Sequence, residues 1–249
     1  MKFYTSVEQA GDTILVRGYN EGRPYQDRVK FNPTLFLPSP EKSEWRTLDG
    51  KYVRPVRQGT IRDAKRFVQD HRDIPDFDIC GQTRYVNQYI YEQYPDESMS
   101  YDMGDIRVFT LDIETGAENG FPDIESADQE ILLISIKDSN TNVISVFGTK
   151  PYDHNTKDGV DGDVKYMHFS SETAMLNAFI HWWSSNYPDV ITGWNVQLFD
   201  MPYIIRRINR VIGEKESRLI SPWKNVYCRE IYIKGRRQIA YDISGVAVL

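Results

Sequence analysis

Three short apolar runs in close succession, IRVFTLDI from Ile106, ILLISIKD from Ile131 and VISVF from Val143, constrain this chain more than any other feature. They are rich in β-branched residues, and only the turn-forming Asp138–Asn142 segment separates the second from the third, so they read as a three-stranded meander. A polar loop from Gly148 to Asp163 leads to a further strand over Val164–Phe169, after which Ser170 or Ser171 caps a helix running to about Ser185. Met175, Leu176, Phe179, Trp182 and Trp183 share a broad apolar arc of that helix, which favours the tryptophans as core anchors over base-stacking platforms. Val190–Trp194 is another short strand, entering a second helix near Gln197 that ends by Gly213. Three strands, a helix, a strand and a helix form an α/β arrangement with a mixed sheet.

The part before this is different. Lys2–Val7, Thr13–Tyr19 and Tyr25–Phe31 read as strands of an antiparallel sheet, separated by the turn pairs Gly11-Asp12 and Glu21-Gly22. Pro33, Pro38 and Pro40 break the pattern. Thr60 then caps a helix with Asp63 three positions on, and Ile61, Ala64, Phe67 and Val68 supply its apolar stripe. The tyrosine-rich tract from Arg84 to Asp102 contains Pro95 and no sustained period, so it reads as a connection. The expected organisation is a smaller α+β domain over residues 1–102 and an α/β domain over 103–249.

Composition bounds the function only loosely. The formal charge of −6 speaks against non-specific duplex binding, which rests on lysines and arginines neutralising phosphates. A site that gathers carboxylates around divalent cations escapes that bound, because the ions invert the local charge. The basic residues cluster at Ile204–Arg218 and Cys228–Arg237, and a nucleic-acid surface and a solvated face are both open for them. Cys80 and Cys228 lie far apart with no CxxC spacing, which suits a reducing compartment and argues against structural zinc. With neither a cationic leader nor a long apolar block, the expectation is a soluble, intracellular protein with no membrane partner.

The sharpest chemical feature is Thr110-Leu111-Asp112-Ile113-Glu114-Thr115 at the end of the first apolar strand. Side chains two apart on a strand share a face, so Asp112 and Glu114 project together while Ile113 faces the other layer. Two carboxylates so close repel, and a hard divalent cation such as Mg2+ or Mn2+ would relieve that repulsion. A hydrated strand end explains the pair equally well in isolation. The second feature is Asn195-Val196-Gln197-Leu198-Phe199-Asp200, where the strand ITGW hands over to a helix, a place where open sheets build sites. Together the two give three carboxylates a route to one cleft.

FTLDIET around Asp112, ITGWNVQLFDMPYIIRRI around Asp200, and the stretches YMHFSSE, INRVIGE and YDISGVAVL make the chain resemble the amino-terminal and exonuclease regions of family B DNA polymerases, in particular those of T4-like bacteriophages. The resemblance covers essentially the whole chain. It implies a ribonuclease H-like exonuclease domain that trims the primer 3′ end by two-metal hydrolysis during viral DNA replication. Asp112 and Glu114 would bind the catalytic metals, and Asp200 would complete the acidic cluster from the adjacent helix. Asn195 and Phe199 of NxxxFD would shape the pocket for the 3′ end. Phe121, in the loop after DIE, would pack against the terminal base.

The family's third exonuclease motif, YxxxD, is not matched: Tyr241 is followed four places later by Gly245, and Asp242 has Gln238 four places before it. The metal site is therefore expected to be incomplete and the chain weakly active alone. Its implied partners are the primer 3′ end, primer-template DNA, and the remaining polymerase domains or a second polymerase chain. A sliding clamp is implied through that remainder, and the host cell's cytoplasm as location. CREIYIK and RRQIA around Lys234-Gly235 read as a hairpin, matching one that keeps primer and template apart in the family, with Lys234, Arg236 and Arg237 bringing positive charge to its tip. Two other classes stay open. One is a self-contained metal nuclease that recruits Asp123, Glu125, Asp128 or Asp242. The other is a non-catalytic module that binds single strands or assembles with a polymerase.

Overall fold

The computed structural model describes residues 2–75, 77–81, 84–94, 100–118, 120–152 and 162–249. Parts of the expected connection (95–99) and of the polar loop before the fourth strand (153–161) lie outside these residues. The chain divides into two compact units, Met1–Tyr101 and Asp102–Leu249.

In the first unit, β1 (Lys2–Ala10), β2 (Thr13–Asn20) and β3 (Arg23–Lys30) form an antiparallel sheet in sequence order, turning at Gly11 and Gly22 with positive φ. A second sheet follows from β4 (Thr34–Pro38), β5 (Trp45–Arg46) and β6 (Tyr52–Arg57), with β6 in the middle. Helix α1 (Ile61–Asp70) begins at a full capping box. The Asp63 N–H donates to the Thr60 hydroxyl, and the Thr60 N–H donates to Asp63 Oδ2 at 2.9 Å.

The expected connection after Arg84 is corrected, because Tyr85–Gln93 is a helix, α2. Its two buried residues are tyrosines, Tyr85 and Tyr89, one turn apart with Val86 and Ile90 packed beside them, and a pattern search that treats tyrosine as polar sees only half of this face. Tertiary contacts hold it in place. The Gln88 side chain accepts from the Thr34 N–H and donates to the Thr34 carbonyl, pinning α2 to β4 as a neighbouring strand would.

The second unit is built on one mixed sheet of six strands, β7 (Val108–Thr115), β8 (Ile131–Asp138), β9 (Val143–Gly148), β10 (Asp163–His168), β11 (Val190–Thr192) and β14 (Ala247–Val248). Their spatial order is β10-β9-β8-β7-β11-β14. The meander β7-β8-β9 is antiparallel, while β10 joins β9, β11 joins β7 and β14 joins β11 in parallel. Helices α3 (Glu172–Ser184), capped by Ser171, and α4 (Asp200–Val211) bury their apolar faces in its core, where Trp183 is fully covered beside Phe109, Leu111 and Ile113. A short α5 (Glu214–Ser217) leads to the hairpin of β12 (Val226–Ile233) and β13 (Arg236–Ile243), turning at Lys234-Gly235 as expected.

One buried ion pair ties these pieces together. Arg207 on α4 donates from Nε and Nη2 to the two carboxylate oxygens of Glu172 on α3, at 2.7 and 2.6 Å, with both side chains nearly solvent-free. Glu172 Oε1 also accepts from the Ile131 N–H at the start of β8, and Arg207 Nη1 donates to the carbonyls of Ala127 and Asp128. Bidentate geometry and satisfied partners offset the cost of burying both charges, whereas removing one partner strands the other. Arg207→Met is accordingly expected to lower unfolding stability by about 3–5 kcal/mol in urea denaturation.

Candidate active site

The site grows from the pleat of β7. Phe109, Leu111 and Ile113 point into the core, and Thr110, Asp112 and Glu114 point out, as the two-residue period requires. The Asp112 and Glu114 carboxylates have no hydrogen-bond or ion-pair partner among the described residues, and both are exposed.

Asp200 reaches the same strand from α4. The segment after β11 runs close to β7 because residue 193 is glycine: a Cβ there would stand 2.3 Å from the Leu111 carbonyl oxygen. Asn195 then adopts a left-handed conformation, φ 57°, and its carbonyl accepts from the Leu198 and Phe199 N–H groups, turning the chain into α4. Asp200 is the first helical residue, 3% exposed, and its Oδ1 accepts from the Ile113 N–H at 3.1 Å, between the two outward acids.

The helix start and the Ile113 N–H favour a charged Asp200, yet its pKa is raised from 3.8 to about 6. Burial is the leading cause, and the Asp112 and Glu114 charges add to it. Among the described residues no three His, Cys, Asp or Glu side chains gather closely enough to hold a metal ion. The three acids are therefore an electrostatically linked group rather than a finished ligand shell. Oxygen-only donors, two without partners and the third repelled by both, fit a hard divalent cation.

Phe199, the residue before Asp200, belongs to an aromatic pair. Phe121 is 85% exposed, and its ring centroid is 5.4 Å from that of Phe199, which in turn stacks on Tyr203 at 5.8 Å. Phe199 is half-buried against the core, so it anchors the pair as well as forming it. Asn195 is exposed in the turn beside Trp194, whose side chain is 92% exposed because β11 ends at Thr192 rather than continuing to residue 194.

Most arginines of the basic clusters are engaged within the unit, several of them while still exposed to solvent. From one stripe of α4, Arg206 Nη1 donates to the Glu125 carbonyl, Arg207 to those of Ala127 and Asp128, and Arg210 Nη1 to that of Ser126. On the same stripe the Tyr203 hydroxyl donates to the Gln129 carbonyl at 2.7 Å. The helix thus clamps the loop that carries Phe121. Spacing of i, i+3, i+4 and i+7 among these four residues was the available signal. Arg229 pairs with Asp242, and Arg237 with both Glu125 and Glu230, while Lys234 and Arg236 make no ion pair among the described residues. Of the acids a self-contained nuclease would recruit, Glu125 and Asp242 are held by arginines, and Asp123 accepts from the Ser126 N–H at 2.8 Å.

A carboxyl whose pKa is raised on folding holds a proton that the unfolded chain has released, so stability falls as pH rises from about 4 to about 6. With chelator present, the stability difference between Asp200→Asn and the unsubstituted chain should grow across this window in favour of the variant. It should level off at about 3 kcal/mol above pH 7. Denaturation at a series of pH values checks this.

The family model for the DNA polymerase family B exonuclease domain matches residues 56–249. The DNA-directed DNA polymerase of Enterobacteria phage T4 is 30% identical over 270 residues, and that of Escherichia phage RB69 is 29% identical over 272. Each alignment takes in 100% of this chain and 30% of the phage protein, so the chain spans about three tenths of the length of these curated relatives. The DNA polymerase catalytic subunit of human herpesvirus 8 is 34% identical over 114 residues, covering 43% of this chain and 11% of the viral protein. No helix among the described residues is long and apolar enough to cross a membrane. The chain belongs to the family B DNA polymerases, with residues 56–249 matching their exonuclease domain.

Proposed function

We propose that the chain is the amino-terminal, proofreading part of a viral DNA polymerase, removing nucleotides from the primer 3′ end by hydrolysis of its terminal phosphodiester. The observation that carries this is Asp200 bound to the Ile113 N–H, in the field of Asp112 and Glu114 on either side. The partnerless carboxylates of Asp112 and Glu114 would be the main ligands for Mg2+ or Mn2+, with Asp200 completing the group. Bound in a pair, such ions supply an activated water and stabilise the leaving oxygen. Asp200 keeps the helix start against β7 through the Ile113 N–H.

Phe121 and Phe199 offer ring faces to an unstacked base, a sequence-tolerant platform suited to single-stranded ends. Asn195 shapes the turn beneath them. Lys234 and Arg236 put unpaired positive charge at the hairpin tip, where phosphates of primer-template DNA would gain screened attraction. Polymerisation, engagement of a sliding clamp and work in the cytoplasm of an infected bacterium belong to the same reading. They rest on the phage relatives and on polymerase parts beyond the residues described.

The test is excision of a 3′-labelled single strand by the polymerase carrying this chain, with Mg2+ or Mn2+. Asp112→Ala and Glu114→Ala should each lower the rate by at least about a hundredfold, since each removes an oxygen ligand from a site whose ions carry the reaction. In the purified chain, Mn2+ should raise the melting temperature, and Asp112→Ala should abolish that rise. An unchanged excision rate in both variants would overturn the assignment.

A further inference from the structure

Arg237 occupies an unusual position for a residue at a basic tip. Its Nη2 donates to Glu230 Oε1 across the hairpin at 2.7 Å, and its Nη1 donates to Glu125 Oε1 at 2.8 Å, on the loop that carries Phe121. A guanidinium presents a planar fork suited to carboxylates, and here both arms of the fork are taken. With a carboxylate on each arm, the Arg237 guanidinium has little left to offer a phosphate.

Glu125 is not a loose end. Arg206 holds its backbone carbonyl, Arg207 and Arg210 hold the next three, and Ser126 and Ala127 donate their N–H groups back to Asp123. Arg206 also lies near the hairpin, since its charge acts on the Tyr241 phenol of β13. The loop is therefore held both by α4 and by the hairpin, and the same loop carries Phe121, whose ring meets Phe199 at the start of α4.

We infer that Arg237 is a positioning residue that latches the β12–β13 hairpin to the Phe121 loop through Glu125. The hairpin tip and the aromatic pair then keep a fixed spacing when a 3′ end enters. The latch itself rests on the ion-pair geometry alone; its consequence for excision rests on the proofreading role proposed above. Lys234 and Arg236 remain the charges available to DNA.

Glu125→Gln and Arg237→Gln, singly and together, separate a latch from a phosphate contact. In the purified chain, amide hydrogen exchange at Ser126 and Ala127 should quicken roughly two- to fivefold in either single variant, the range expected of an exposed ion pair. The double variant should be no faster than the singles, and 1 M NaCl should quicken the unsubstituted chain alone. Lys234→Gln should leave this exchange unchanged. Unchanged exchange in Glu125→Gln, or effects that simply add in the double variant, would overturn the latch.

In the polymerase carrying the chain, both single variants and the double should slow excision from paired 3′ ends by one common factor. If Arg237 contacts phosphate instead, Glu125→Gln leaves excision intact or faster, Arg237→Gln slows it in either background, and the inference fails. Should the polymerase show no excision at all, the proofreading role falls while the exchange result still decides the latch.

Discussion

The buried pair of Arg207 and Glu172 is the constraint on which the second unit depends. It joins α3 to α4, fixes the first N–H of β8 and draws in the loop between β7 and β8, all through one guanidinium and one carboxylate. Burying both charges costs several kcal/mol apiece unless every hydrogen-bonding position is used, and here nearly all are. The outcome is geometric specificity. The pair sets α4 against α3 and the β7–β8 loop, and the same helix begins at Asp200, which bonds to β7.

From this follows an arrangement in which one helix serves three purposes. Its apolar face closes the core, its polar stripe of Tyr203, Arg206, Arg207 and Arg210 clamps the Phe121 loop, and its first turn brings an acid to β7. The strand supplies two carboxylates by its pleat, and the loop supplies a ring that meets Phe199. The raised pKa of Asp200 is the electrostatic consequence, since burial and two neighbouring acids overcome the helix dipole. Two exposed acids without partners among the described residues and a buried one repelled by both form a set of oxygen donors of the kind a hard divalent cation takes.

Charge counted along the chain misleads here. The basic runs at Ile204–Arg218 and Cys228–Arg237 look like nucleic-acid surfaces, yet most of their arginines face backbone carbonyls or carboxylates of the same unit. Arginine is suited to this, because its fork spans two acceptors at once. Lys215, Lys234 and Arg236 are exposed and make no ion pair among the described residues.

The sequence by itself determined what depends on short-range pattern: the β7-β8-β9 meander, the Thr60 and Ser171 caps, the Lys234-Gly235 hairpin, and the shared face of Asp112 and Glu114. These follow from two- and four-residue periods and from local turn chemistry, which neighbours in sequence settle between themselves. Helix α2 escaped because tyrosine is apolar or polar according to what covers it, and the cover comes from residues far away. Only the tertiary structure decided that Asp200 meets the Ile113 N–H, that Phe121 meets Phe199, and that Arg237 turns to Glu125. Each of these contacts closes a gap of some 80 to 110 residues, for Phe121–Phe199, Ile113–Asp200 and Glu125–Arg237. Pairings at that range are fixed by how the sheet and helices pack, and not by any local preference.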